Sequence, residues 1–176
     1  MKSFYNPIVA PCVFIICLLV GCRDDDPVDQ LQEEEFLSAQ IDGTDFMVDR
    51  SVGLISCQKY LNDYGGIDLQ VNVETTSGEI MEFYIADYMG ARNYMFSNNI
   101  FNKSWMRYGI VNPLGDWITV AENKQVQATF PYLEIIEDDG NYIKGNFEFE
   151  AHNPVDNSMK LISNGNFNFR VASELD

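Results

Sequence analysis

The segment Ile67-Asp68-Leu69-Gln70-Val71-Asn72-Val73-Glu74 alternates apolar and polar residues without a break. A period of two belongs to a β-strand, whose successive side chains point to opposite faces. Ile67, Leu69, Val71 and Val73 are therefore expected to face a core, with the residues between them facing water. Met81-Glu82-Phe83-Tyr84-Ile85 repeats the alternation with Met81, Phe83 and Ile85 inward. Between the two lies Thr75-Thr76-Ser77-Gly78, a cluster of turn residues. Residues 67–86 thus predict a β-hairpin.

The same test extends outward. Phe36-Leu37-Ser38-Ala39-Gln40-Ile41 reads as a strand and leads into Asp42-Gly43, a hairpin-turn dipeptide. Leu54-Ile55-Ser56-Cys57 is β-like. Trp117 to Ala121 predicts a short strand. Ala128 to Glu137 predicts a longer one, with Pro131 marking an edge or bulge because proline cannot donate to a ladder. Asp138-Asp139-Gly140-Asn141 is the next turn. Towards the C-terminus, Gly145-Asn146-Phe147-Glu148-Phe149-Glu150 is echoed by Gly165-Asn166-Phe167-Asn168-Phe169-Arg170. In each copy the two Phe share one face, so the pair reads as two strands of one sheet separated by the loop His152 to Ser158. No helical stripe is sustained anywhere; a short helical turn is expected at most over Ile100 to Tyr108. The fold class that follows is all-β, an antiparallel β-sandwich of about ten strands, with a closed β-barrel as the alternative.

The N-terminus is organised differently. Lys2 precedes an apolar stretch from Pro7 to Val20, the order of a secretory signal. That stretch is short for a membrane-spanning helix, which needs about 20 apolar residues. Leu19-Val20-Gly21-Cys22 resembles the lipobox of bacterial lipoproteins. The resemblance implies a signal peptide over residues 1–21, cleavage before Cys22, and a lipid (diacylglycerol and palmitate-type acyl chains) on the Cys22 thiol. Residues 22–35 carry Asp24, Asp25, Asp26, Glu33, Glu34 and Glu35 and predict an acidic flexible tether, followed by a single all-β domain over 36–176. The Asp run also resembles the acidic export tag of surface-exposed lipoproteins in some Gram-negative gut bacteria, which implies an outer-membrane location facing the cell exterior.

A second resemblance covers the two ends of the domain. Phe36 to Gly43, together with Tyr142-Ile143-Lys144-Gly145-Asn146-Phe147-Glu148-Phe149 and Ile162-Ser163-Asn164-Gly165-Asn166-Phe167, resembles a family of uncharacterised gut-bacterial lipoproteins. In that family a Gly precedes each aromatic strand of the closing segment. The likeness implies an all-β sandwich or barrel and brings no catalytic residue with it.

Charge and composition exclude some partners. The chain has 27 acidic and 11 Lys and Arg residues, a formal net charge of −16. So acidic a surface repels phosphate backbones and anionic bilayers, so nucleic acid is not an expected partner. Contact with a membrane is expected only through the lipid on Cys22. Of four cysteines, Cys12 and Cys17 lie in the expected signal segment and Cys22 carries the lipid. Cys57 is then alone and is expected to be buried and inert.

Catalytic and metal motifs are sparse. His152, in the expected loop His152-Asn153-Pro154, is the only histidine, and no Gly-x-Ser-x-Gly elbow occurs. One His and one free Cys cannot build a nitrogen–sulfur zinc site. The Asp-x-Asp-x-Asp-Gly calcium loop is absent, and Glu137 to Asn141 reads as an acidic hairpin tip. Carboxylate pairs carry little information among 27 acids. Tyr64-Gly65-Gly66 is a turn and not a phosphate cradle. No cofactor or metal ligand set is read.

The one suggestive patch runs from Tyr94 through Phe96 and Phe101 to Trp105 and Tyr108, interleaved with Asn98, Asn99 and Asn102. Tyr94, Trp105 and Tyr108 are the candidate ligand-binding residues, because aromatics beside amides can stack on sugar rings and bond their hydroxyls. Core packing is the competing account of the same residues. The expected function is a non-catalytic domain that binds a glycan or an envelope protein. A structural or adhesive envelope component and a small hydrolase are the alternatives.

Overall fold

The computed structural model describes residues 34–96, 103–111, 115–119 and 132–172. The central hairpin is present as expected. Strand β4 (Ile67–Thr75) pairs antiparallel with β5 (Glu79–Ile85), Glu74 lying opposite Ile80. Gly78 adopts a left-handed φ of 83° and its N–H reaches the Thr75 carbonyl at 3.0 Å. Leu69, Val71, Val73, Met81, Phe83 and Ile85 are all buried.

Before this hairpin come β1 (Phe36–Ile41), β2 (Thr44–Asp49) and β3 (Gly53–Leu61). Asp42 and Gly43 both have positive φ, 51° and 80°, as a two-residue hairpin turn whose twist matches the strands requires. After it come β6 (Asn93–Met95), β7 (Trp105–Ile110), β8 (Gly115–Ile118), β9 (Tyr132–Asp138), β10 (Tyr142–His152) and β11 (Met159–Arg170). Every strand pair among the described residues is antiparallel.

The strands form one nearly closed sheet with two halves. One half runs β2-β1-β11-β10-β9-β6, the other β3-β4-β5-β7-β8. Among the described residues one pair, His152 with Ile118, joins β10 to β8. On the opposite side a one-residue parallel bridge joins Gln58 to Ala172, with the Ala172 N–H on the Cys57 carbonyl at 2.8 Å. This tail covers part of the β3 edge, which would otherwise present unpaired backbone groups. Sandwich and barrel, the two expected architectures, are limiting descriptions of this same closed-up sheet.

Aromatic rings fill the space between the halves. Phe83 on β5 lies 4.8 Å from Phe147 on β10 and 6.0 Å from Phe167 on β11, centroid to centroid. Phe149 and Phe169 are also buried, so the echoed Phe residues form core. Cys57 is buried in the same core, and that burial pushes its thiol up to about 12, which leaves it inert at neutral pH.

Several expectations are corrected. No helix occurs among the described residues, and the proposed turn over 100–108 is strand from Trp105 onward; residues 100–102 lie outside the described set. The strand expected at Trp117 to Ala121 begins earlier, at Gly115, and reaches Ile118; Val120 and Ala121 lie outside the described residues. Of the strand expected at Ala128 to Glu137, the described part is strand, β9 over Tyr132–Asp138, and residues 128–131 with Pro131 lie outside the described residues. His152 ends β10 rather than sitting in a loop, because its backbone makes the β10–β8 link. The tether boundary also moves. Glu35 is buried, receives the Arg50 guanidinium at 2.6 and 2.8 Å, and so belongs to the domain. The Glu34 carbonyl accepts the Asn168 side-chain amide at 2.9 Å.

Candidate functional site

The three aromatic candidates do not converge. Tyr108 is buried, its ring 5.7 Å from Trp117 and its hydroxyl on Glu79 at 2.8 Å. Tyr94 stacks on Tyr88 at 5.6 Å, and its hydroxyl donates to the Gly90 carbonyl. Trp105 alone lies on the outer face, half-buried, stacked on Tyr84 at 5.9 Å with 25° between the planes. Tyr108 is thus core, and Tyr94 supports a neighbouring loop.

Trp105 leads to a different place. Its partner Tyr84 points outward from β5 and donates its hydroxyl to Asp68 at 2.6 Å. Asp68 occupies an outward position of β4, yet it is 4% exposed. A carboxylate there must be paired or hydrogen-bonded, since burying an unsatisfied charge is costly. It is well satisfied: Asn62 Nδ2 and the Asp87 N–H both reach its other oxygen at 2.9 Å. Burial alone would raise its pKa. The bonds from Tyr84, Asp87 and Asn62, aided by the Lys103 charge, outweigh burial and hold it below the ordinary Asp value. Tyr84 moves the opposite way: burial and its bond to Asp68 push the phenol well up, so it remains a donor.

Asn62 organises the rim. Its carbonyl oxygen accepts the N–H groups of Tyr64 at 3.0 Å and Gly66 at 2.9 Å, closing the β3–β4 turn. Its amide also reaches Asp87 at 3.1 Å. The turn lifts Tyr64 into solvent, where it is 89% exposed. The result is an open cleft of about 510 Å³ lined by Tyr60, Asn62, Tyr64, Asp68, Tyr84 and Lys103 among others. Aromatic faces, an amide, a cation and carboxylates meet there. Asp68, ionised and held by three donors, is a poor proton donor, and it acts as the post on which Tyr84 and Asn62 are fixed.

Tyr84→Phe removes one of those donors and leaves Asp68 Oδ2 short of a partner. We expect a loss of about 1–3 kcal/mol, the usual cost of an unmet buried acceptor. Urea unfolding of the variant checks this; an unchanged midpoint would mean that solvent replaces the phenol.

A second polar cluster lies inside one end of the sheet. Lys59 Nζ contacts both oxygens of Asp138 at 2.8 Å, and Tyr88 donates to the same carboxylate at 2.8 Å. Asp139 accepts the N–H groups of Asn141 and Tyr142. The acidic hairpin tip is therefore engaged internally. Among the described residues no group of three or more His, Cys, Asp and Glu is arranged to hold a metal ion.

Sequence reasoning missed the Asp68 cleft because its members come from three separate segments. The local trace of it is Tyr60-Leu61-Asn62-Asp63-Tyr64-Gly65-Gly66, two tyrosines and an amide at a glycine turn. No protein-family model, curated protein or solved structure matches the chain.

Proposed function

We propose that this is an exported, lipid-anchored surface protein whose β-domain binds carbohydrate, without catalysis, in the cleft around Asp68. The observation that carries the binding site is the buried Asp68. A charge is held out of water and given three donors, which fixes Tyr84 and Asn62 beside a freely exposed Tyr64. Pre-set aromatics and amides suit sugar rings, which offer an apolar face and a fringe of hydroxyls. The anchoring half of the reading rests on Lys2, the apolar stretch and Leu19-Val20-Gly21-Cys22, with the acidic run after Cys22 supporting display on the cell exterior.

The binding test is a broad glycan panel presented to the purified protein, with and without calcium. Saturable binding that weakens about tenfold in Tyr64→Ala, the equivalent of one good contact, is the expected result. Absence of binding to every glycan would remove the carbohydrate reading and favour an envelope-protein partner. For the anchor, Cys22→Ala should abolish fatty-acid labelling in cells; persistent labelling would overturn it.

A further inference from the structure

The strand register aligns outward-facing side chains of four strands beside the cleft. Gln58 on β3 lies opposite Gln70 on β4, Gln70 opposite Tyr84 on β5, and Tyr84 opposite Trp105 on β7. These four therefore form a single row perpendicular to the strands. Neighbouring strands are about 4.8 Å apart, so the row advances in steps close to the repeat of a 1,4-linked pyranose chain. Gln70 is exposed, and Gln58, Tyr84 and Trp105 are half-buried, so all four reach the surface.

The row and the cleft share a residue. Tyr84 contributes its hydroxyl to the Asp68 network and its ring to the stack with Trp105. A ligand leaving the cleft past Tyr84 therefore meets an aromatic–amide platform. The next row along the strands is polar across β4, β5 and β7, where Asn72, Glu82 and Arg107 lie side by side before Ile118 on β8, with Arg107 on Glu82 at 2.7 Å and on Asp116 at 2.6 Å. Tryptophan and tyrosine side by side on this row give it a flat aromatic surface that the neighbouring polar row lacks.

Charge narrows the ligand. Among the described residues Asp63, Asp68 and Asp87 line the cleft against one cation, Lys103, and the whole chain is strongly acidic. Uronate or sulfated chains would be repelled.

We propose that the site takes a neutral oligosaccharide of several rings, with one end in the Asp68 cleft and the chain laid across β4, β5 and β7 over Gln70, Tyr84 and Trp105. This rests on the carbohydrate reading above and adds length and charge to it. The test is titration of the purified protein with β-1,4-linked gluco-, manno- and xylo-oligosaccharides, from single sugars to long chains, and with oligogalacturonides. Affinity for a neutral series should rise about tenfold from single sugar to trisaccharide. Trp105→Ala and the exposed Gln70→Ala should each remove that gain while single-sugar binding persists, circular dichroism confirming the fold. Binding that is flat with length, yet lost in Tyr64→Ala, would overturn the extended site and leave the cleft. Tighter binding of oligogalacturonides would overturn the charge argument. Failure of the folded protein to bind any of these series, while the broad glycan panel yields a ligand, would overturn the extended site alone; failure in both would overturn the cleft as well.

Discussion

Lys59→Met is expected to destabilise the domain by about 3–5 kcal/mol, the cost of leaving a buried charge without its partner. Lys59 lies across the ladder from Leu69, which lies across from Ile85, so its side chain starts on the core face of β3. Its ammonium reaches Asp138 on β9, in the other half of the sheet; the two side chains are 12% and 11% exposed. The pair is thus an internal strut between the halves. Lys59→Met combined with Asp138→Leu should recover much of the loss, because no charge is then stranded.

The pH dependence separates charge from packing. Burial pushes the Asp138 carboxyl up, but Lys59, Tyr88 and the Gly140 N–H outweigh burial and hold it below the ordinary value of 3.8. Its folded pKa is therefore lower than its unfolded one. Its contribution is complete above that ordinary, unfolded value and is lost as pH falls through the folded one. In Lys59→Met the opposing cation is gone, so that carboxyl should rise and take up a proton more readily. The penalty measured by urea unfolding should then be smaller near pH 4 than at pH 7. An equal penalty at both would show that lost packing of the lysine stem is the cause.

The strut was invisible in the sequence, and the reason is instructive. Lys59 and Asp138 are far apart in the chain, and Asp138 sits in a run that any reading of turn chemistry assigns to a hairpin tip. That assignment is correct for Asp139 and Gly140, yet Asp138 turns inward. Where one face was cleanly apolar, as in Ile67 to Glu74 and Met81 to Ile85, the period alone located strands and core. In Trp105-Met106-Arg107-Tyr108 it failed, because aromatics on both faces mask the alternation. Asp68 reads as one more solvent-facing residue of its strand. It is buried because the Asn62 turn, the Tyr84 phenol and the Asp87 backbone close over it, and no periodicity contains those contacts. Strand order was equally hidden, since alternation gives a strand its faces but not its neighbours.

The second large effect is expected from a single methyl group, Gly145→Ala. The Gly-Asn-Phe-x-Phe echo acquires its meaning from the register of β10 and β11, where Gly145 lies opposite Phe167 and Phe147 opposite Gly165. Each glycine leaves room for the other copy's ring. A Cβ on Gly145 would stand 2.1 Å from the Glu134 carbonyl oxygen and 2.5 Å from the Phe167 ring. On Gly165 it would stand 2.5 Å from the Phe147 carbonyl and 2.6 Å from its ring. Inserting one methyl into a packed core usually costs about 1–3 kcal/mol, and a clash with backbone on a paired strand belongs at the upper end. We therefore expect about 3 kcal/mol for Gly145→Ala by urea unfolding. Trimming the ring with Phe167→Leu should rescue it only in part, because the Glu134 carbonyl is held by the β9–β10 ladder. Full rescue would assign the clash to the ring alone, and an unchanged midpoint in Gly145→Ala would mean that β9 and β10 part easily at the register shift between Lys144 and Gly145. The penalties of Gly145→Ala and Gly165→Ala should also fail to add, since Phe147 and Phe167 lie 6.2 Å apart and must yield into the same space.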